Sequence, residues 1–159
     1  MGFALSDMQL TSPAFGQGDA IPARYTGEGD DVSPQLSWTR APKGARGFAV
    51  VCHDPDAPLL SPGGTYGFVH WVLYNIPASA EGLAEGTADF TAGRNDFGKS
   101  GYGGPMPPSG HGQHRYYFWV LALDRETRLK PDLTLWELLA QVEPMVIGMN
   151  RLVGTYQRG

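Results

Sequence analysis

The sequence predicts a mainly β, loop-rich single domain of 159 residues. Three segments run as β-branched and aromatic stretches, long Gly-, Pro-, Asp- and Ser-rich stretches without helical periodicity separate them, and helical patterning begins only after residue 133. The composition, 42% apolar and 18% charged, supplies side chains for one core. A chain near this length buries roughly 70% of its unfolded surface as a single domain.

The first strand is Gly47-Phe48-Ala49-Val50-Val51-Cys52 and the second Phe68-Val69-His70-Trp71-Val72-Leu73-Tyr74, stopped by Pro55 and Pro77 respectively. Continuous apolar runs of this kind predict strands covered on both faces. The third, Arg115 to Leu123, places Tyr116, Phe118, Val120 and Ala122 on one face and Tyr117, Trp119, Leu121 and Leu123 on the other, as a central strand does. Segments 16–34, 53–66 and 91–113 read as long turn-rich loops, which in a compact domain tend to carry function. Thr134 and Glu137 form a capping box ahead of Leu135, Leu138, Leu139 and Val142 at helical spacing. Because Pro144 is acceptable at the start of a helix but not inside one, two helical pieces are expected, 135–142 and 144–153, the second ended by Gly154.

The 12 basic and 16 acidic residues give a net charge of −4, which argues against a nucleic-acid partner. Cys52 is the sole cysteine, so packing rather than an internal disulfide must hold the fold, and a reducing, cytoplasmic setting is expected. No window approaches the roughly 20 apolar residues of a membrane span, and the N-terminus lacks a basic region followed by an apolar run. No stable membrane insertion is expected. Met1 to Ser6 fits an acylation pattern, but there is no nearby polybasic segment to make a second anchor.

Gly93-Arg94-Asn95-Asp96-Phe97-Gly98-Lys99-Ser100 matches a phosphate-binding loop letter for letter. That motif works only between an apolar strand and a helix N-terminus. Here Ala88 to Ala92 is a poor strand, and Gly101-Tyr102-Gly103-Gly104-Pro105 cannot start a helix, so nucleotide hydrolysis is not expected.

More informative are His53-Asp54 after the first strand, His70 inside the second and His114 at the start of the third. A carboxylate can hold an imidazole in one tautomer, and a charged imidazole donates to an anion, so the set suits a small anion site. His114 and Tyr116 share a strand face, which puts a phenol beside the imidazole. Each residue also has a bland reading. Asp54 suits a turn cap, His70 a satisfied core histidine and Cys52 core packing. A zinc site from His53, Asp54, His70 and His114 lacks any recognised ligand spacing, and no Gly-x-Ser-x-Gly element supports a serine hydrolase.

Taken in order, several segments resemble the phosphatidylethanolamine-binding protein family, in its bacterial Raf-kinase-inhibitor-like branch. They are Asp31-Val32-Ser33-Pro34 with Leu36 and Trp38, Asp54-Pro55-Asp56-Ala57-Pro58, His70 to Pro77, Asp96 to Pro105, and Pro107-Pro108-x-Gly110-x-x-x-His114-Arg115-Tyr116. The resemblance implies an antiparallel β-sandwich with Greek-key connections and a few short helices near the C-terminus. It also implies a pocket for phosphate-like and carboxylate anions at one end of the sandwich. Carried over residue by residue, that pocket contains Asp54, Asp56, His70, Pro108, His114 and Tyr116, with Gly104, Gly110 and His111 at its rim. The expected ligand is a small phosphorylated or carboxylated molecule such as a phosphoethanolamine headgroup, with no metal, no cofactor and no catalytic step. A hydrolase of small esters using the same His and Asp groups is the alternative, and a kinase or protease partner and a homodimer are further expectations. The chain departs from its relatives at Met106, at His111 and at Pro144-Met145, so no pocket residue beyond 124 is carried over.

Overall fold

Phe48 to Cys52 present apolar side chains on both faces of one strand, so both faces must be covered, and the structure covers them with different layers. The computed structural model describes residues 3–57 and 67–159. Met1, Gly2 and residues 58–66, the later part of the 53–66 loop, lie outside the described residues. In chain order the elements are β1 (Gln9–Thr11), β2 (Leu36–Thr39), β3 (Gly47–Asp54), β4 (Phe68–Pro77), β5 (Gly82–Leu83), β6 (Thr91–Ala92), β7 (His114–Leu123), α1 (Leu135–Val142) and β8 (Val146–Tyr156). The strands make two antiparallel sheets, β1-β2-β5 and β6-β4-β3-β7-β8. β3 and β4 are sequential neighbours, whereas β7 arrives by a long connection to pair with the other side of β3.

On the inner face Phe48, Val50 and Cys52 of β3 join Phe118, Val120 and Ala122 of β7 against Leu36 and Trp38 of β2 and Leu83 of β5. On the outer face Ala49, Val51, Leu121 and Leu123 pack under Leu135, Leu138 and Val142 of α1. The mainly β, two-layer architecture expected from the sequence is therefore the observed one. The capping box is present too. Thr134 Oγ1 accepts from the Glu137 amide at 3.2 Å, and Glu137 Oε1 accepts from the Thr134 amide at 3.0 Å.

The second helical piece is not. Glu143–Met145 form a short 3-10 turn with Pro144 near its start, and from Val146 the chain becomes β8, paired along all of β7 from His114↔Tyr156 to Leu123↔Val146. Without that partner β7 would leave a row of buried amides and carbonyls unpaired. The β-branched residues Val146, Ile147, Val153 and Thr155 fit the pleated surface, so long-range pairing overrides a helical spacing of modest strength.

The β3–β4 ladder slips twice, between Phe48 and Val50 and between Cys52 and His53. Near the first slip Asn75 takes a left-handed backbone, φ 59°, a region open to Asn at modest cost. Its amide nitrogen donates to Leu129 O at 2.8 Å and Thr91 Oγ1 at 2.9 Å, while its oxygen accepts from the Leu129 amide at 2.9 Å and Thr127 Oγ1 at 3.0 Å. Asn75 thus ties the sheet to the segment leading to α1. Asn75→Ala removes all four bonds and leaves Ala in a left-handed backbone. We expect a loss of about 2–3 kcal/mol in urea unfolding.

Candidate functional site

Strand parity delivers two of the three strand-borne contributions without irregularity. Asp54 continues the inner-face row of Phe48, Val50 and Cys52, and His114 and Tyr116 continue that of Phe118, so all three side chains emerge at one end of the sandwich interior. His70 reaches the same place by a different route. Simple alternation would put it with Val72 and Tyr74 on the outer face, but the second slip pairs Cys52 with Trp71 and His53 with Val69, leaving His70 as the extra residue of a bulge. A bulge re-aims a side chain, and here it turns His70 inward beside Tyr116, with ring centroids 5.2 Å apart. The carbonyl that the bulge frees accepts from the Gly103 amide at 2.9 Å.

The four side chains are almost wholly inside: Asp54 is 2% exposed, His70 and His114 are each 3% and Tyr116 is 0%. A carboxylate so buried must be paired. Asp54 Oδ2 accepts from His114 Nδ1 at 2.6 Å, and Oδ1 accepts from the Asp56 amide at 2.7 Å. His70 Nδ1 donates to the Gly103 carbonyl at 2.7 Å, and burial lowers its basicity below that of an ordinary imidazole. Burial, and then the charge of Asp54, push the Tyr116 phenol up, which keeps it a proton donor.

These groups open into a pocket of about 150 Å³. Asp54, His70, Pro108, His114 and Tyr116, all expected from the sequence, line it. So do Met106 and Pro107, from the 104–113 loop expected to form the wall, and Ala57, Phe68 and Phe97, which were not expected as pocket residues. Phe97 comes from the segment that mimics a phosphate-binding loop. There Asn95 Oδ1 accepts from the Phe97 and Lys99 amides, Asp96 Oδ2 accepts from the Val69 amide, and no helix follows. The result is a tight loop that lays the Phe97 ring 4.7 Å from Phe68 and 5.6 Å from His70. The Asp-Phe-Gly sequence was the available signal, since an exposed Phe between two turn-forming residues needs an apolar neighbour.

Asp56 and the three expected rim residues do not line the cavity itself. Asp56 turns to the surface, where Arg115 grips it through Nε at 3.0 Å, Nη2 at 2.8 Å and the backbone amide at 2.9 Å. The guanidinium holds that carboxyl below the usual range. The buried Gly104 amide is committed to Asp31 Oδ1 at 2.7 Å, and a Cβ there would lie 2.3 Å from the Tyr25 carbonyl, so the glycine is needed for close packing. Gly110, at φ 73°, turns the loop and donates to the Arg158 carbonyl. Exposed His111 is not in the pocket wall but stands on His114, its Nδ1 2.9 Å from His114 Nε2. A separate apolar hollow of about 210 Å³ lies on the outer face beside α1, lined by Val51, Trp119, Leu135, Trp136 and others, with His53 as the one ionisable side chain among the described residues that line it. Among the described residues no group of three or more His, Cys, Asp or Glu side chains could hold a metal ion. No helix there is long and apolar enough to cross a membrane.

The sequence pattern of the phosphatidylethanolamine-binding protein family matches residues 11–157. A UPF0098 protein of Methanothermobacter thermautotrophicus is 40% identical over 159 residues, covering 96% of this chain and 100% of the relative. The crystal structure of a phosphatidylethanolamine-binding protein homolog from Chlamydia trachomatis superposes with a TM-score of 0.86 at 35% identity, covering 96% of this chain and 98% of that one. The E. coli protein YbcL, described as a new member of the mammalian family, gives 0.86 at 30% identity, covering 97% and 100%. The chain belongs to the phosphatidylethanolamine-binding protein family.

The two aspartates should separate cleanly. Asp54→Ala leaves the His114 Nδ1–H and the Asp56 amide without their acceptor, and we expect a loss of about 2–4 kcal/mol in denaturant unfolding. Asp56→Asn should cost much less. Its effect depends on pH: the folded carboxyl is held low, so its stabilisation is present above about pH 3.9 and is lost as pH falls through the lowered value. The stability gap between wild type and Asp56→Asn should therefore be open at pH 7 and close as the pH is taken down through the lowered carboxyl value, as read by thermal unfolding across the acidic range.

Proposed function

We propose that this protein binds a small anion, a phosphate monoester, a phosphoethanolamine headgroup or a carboxylate, in the pocket between β3, β4 and β7, and that it plays a regulatory role in the cytoplasm of the Raf-kinase-inhibitor-like kind. The observation that carries the reading is the convergence of the buried Asp54–His114 pair, His70 and Tyr116 on one headgroup-sized cavity with apolar walls. Few polar groups aimed into a mostly apolar hollow is the usual composition of a small-molecule site. Family membership supports ligand binding of this type, and the exposed 108–113 turn at the pocket mouth is the surface on which occupancy would be displayed to a kinase or protease partner. The reading requires no catalytic step. Tyr116 supplies an O–H donor, and His114, paired with Asp54, can hold positive charge facing the anion.

His114→Ala should weaken binding of phosphate and phosphoethanolamine by about 1.5–3 kcal/mol, the range for a hydrogen bond to a charged group. The measurement is a titration of histidine and backbone NMR signals with phosphate, phosphoethanolamine and acetate. Saturable shifts centred on His70, His114 and residues 104–113 are expected. Unchanged affinity in His114→Ala would remove the assignment.

A further inference from the structure

An oxyanion needs donors, yet both pocket imidazoles direct their resting proton elsewhere. The partner of His70 Nδ1 is a carbonyl, which only accepts, so the proton sits on Nδ1 and the neutral ring leaves a lone pair on Nε2. Among the described residues that nitrogen has no hydrogen-bond partner. His114 is arranged alike: Nδ1–H donates to Asp54, so its neutral ring has a lone pair on Nε2. There the contact with His111 Nδ1, 2.9 Å away, makes His111 the donor and fills the position. At rest the pocket thus offers lone pairs, one already taken, beside a single reliable donor, the Tyr116 hydroxyl. With His114 neutral, a fully ionised anion brought to this site would meet the His70 lone pair and a His114 nitrogen already held by His111.

We propose that the pocket, when it holds a phosphate monoester, takes up two protons with it, one on His114 Nε2 and one on the phosphate, and that His111 is a latch that must leave His114 Nε2 before the anion is held there. This rests on the anion-pocket reading above. One added proton converts His114 to an imidazolium whose Nε2–H donates, to His111 in the closed arrangement or to the anion in the open one, with Asp54 balancing the charge. A phosphate monoester ionises a second time near pH 6, so it can also carry a P–OH that donates to the His70 lone pair while its remaining oxygens accept from Tyr116 and His114. A carboxylate is ionised well below neutrality and offers no such group. Burial keeps the His70 ring neutral in spite of the negative charges of Asp54 from β3 and Asp96 from the 93–100 loop, so it can accept a P–OH, while Asp56 lies near His114 with its charge offset by Arg115 and Tyr116 stays protonated. His111 is exposed, so its ring can swing into solvent without disturbing the core.

The test is calorimetric titration of the intact protein with phosphoethanolamine between pH 5.5 and 8.5, in buffers of different ionisation enthalpy, for wild type and His111→Ala. Affinity should rise up to about a hundredfold for each pH unit lowered between 8.5 and 7, with two protons taken up per ligand bound. His111→Ala should bind about fivefold tighter than wild type at pH 8, with an unchanged unfolding temperature. Binding that is independent of pH and takes up no proton overturns the coupling while leaving the anion pocket standing. A His111→Ala variant no tighter than wild type overturns the latch. No binding by either protein at any pH overturns the anion reading itself, and this inference with it.

Discussion

A carboxylate at the end of the central strand, 2% exposed, is the constraint around which the pocket is built. An isolated charge in such surroundings costs far more than the fold could supply, so every group near Asp54 is arranged to satisfy it. Its two oxygens take bonds from different directions, one from the turn that follows β3 through the Asp56 amide and one from the first residue of β7 through His114. The same pair fixes the His114 tautomer, and the tautomer decides what Nε2 can do for a ligand or for His111. Structural need and chemistry are thus one interaction. A residue chosen only to end a strand would not be placed so deep, and a residue chosen only for a ligand would not need both its oxygens occupied by protein.

Much of this was legible in the sequence because it depends on short-range rules. Strand alternation alone placed His114 and Tyr116 on one face, the capping box at Thr134 and Glu137 marked where α1 begins, and the poor context of Gly93 to Ser100 disqualified it as a phosphate loop. The deeper assignment of Asp54, His70 and Pro108 to one pocket came from resemblance, since spacing offered each an equally good bland reading. What stayed hidden involves pairing at a distance. Alternation misplaces His70 by one face because nothing local announces the extra residue that turns it inward. Asp56 reads like Asp54, but Arg115, fifty-nine positions on, claims its carboxylate. The 144–153 segment has a passable helical pattern, and only the open edge of β7 explains why it extends.

That last strand matters beyond closing an edge. β8 carries the chain back to the pocket end of the sheet, where its pairing Tyr156↔His114 sits beside the binding groups. The residues that follow brace the pocket wall. Tyr156 donates to Glu28 Oε1 at 2.6 Å, Arg158 Nη1 donates to the Pro107 carbonyl at 3.3 Å, the Gly110 amide donates to the Arg158 carbonyl at 3.3 Å, and Ser109 Oγ donates to the Gly159 carbonyl. On the other side the Gly27 amide donates to the Pro105 carbonyl at 2.9 Å, and Asp31 holds Gly104. The 104–110 segment is therefore held by two separate parts of the chain.

The bracing also locates where motion can occur. Pro107 and Pro108, fixed in φ by their rings and tied to Arg158 and its neighbours, have little freedom to open or close the cavity. Past Gly110 the restraints change: the His111 amide makes a turn bond to the Pro108 carbonyl at 3.1 Å, but its side chain is exposed and bonds only to His114 among the described residues. Gly110 and Gly112, both at positive φ, flank it and allow the turn. A rigid wall followed by one singly tethered imidazole separates two tasks. The wall sets which shapes fit, while the tether sets when the His114 nitrogen becomes free.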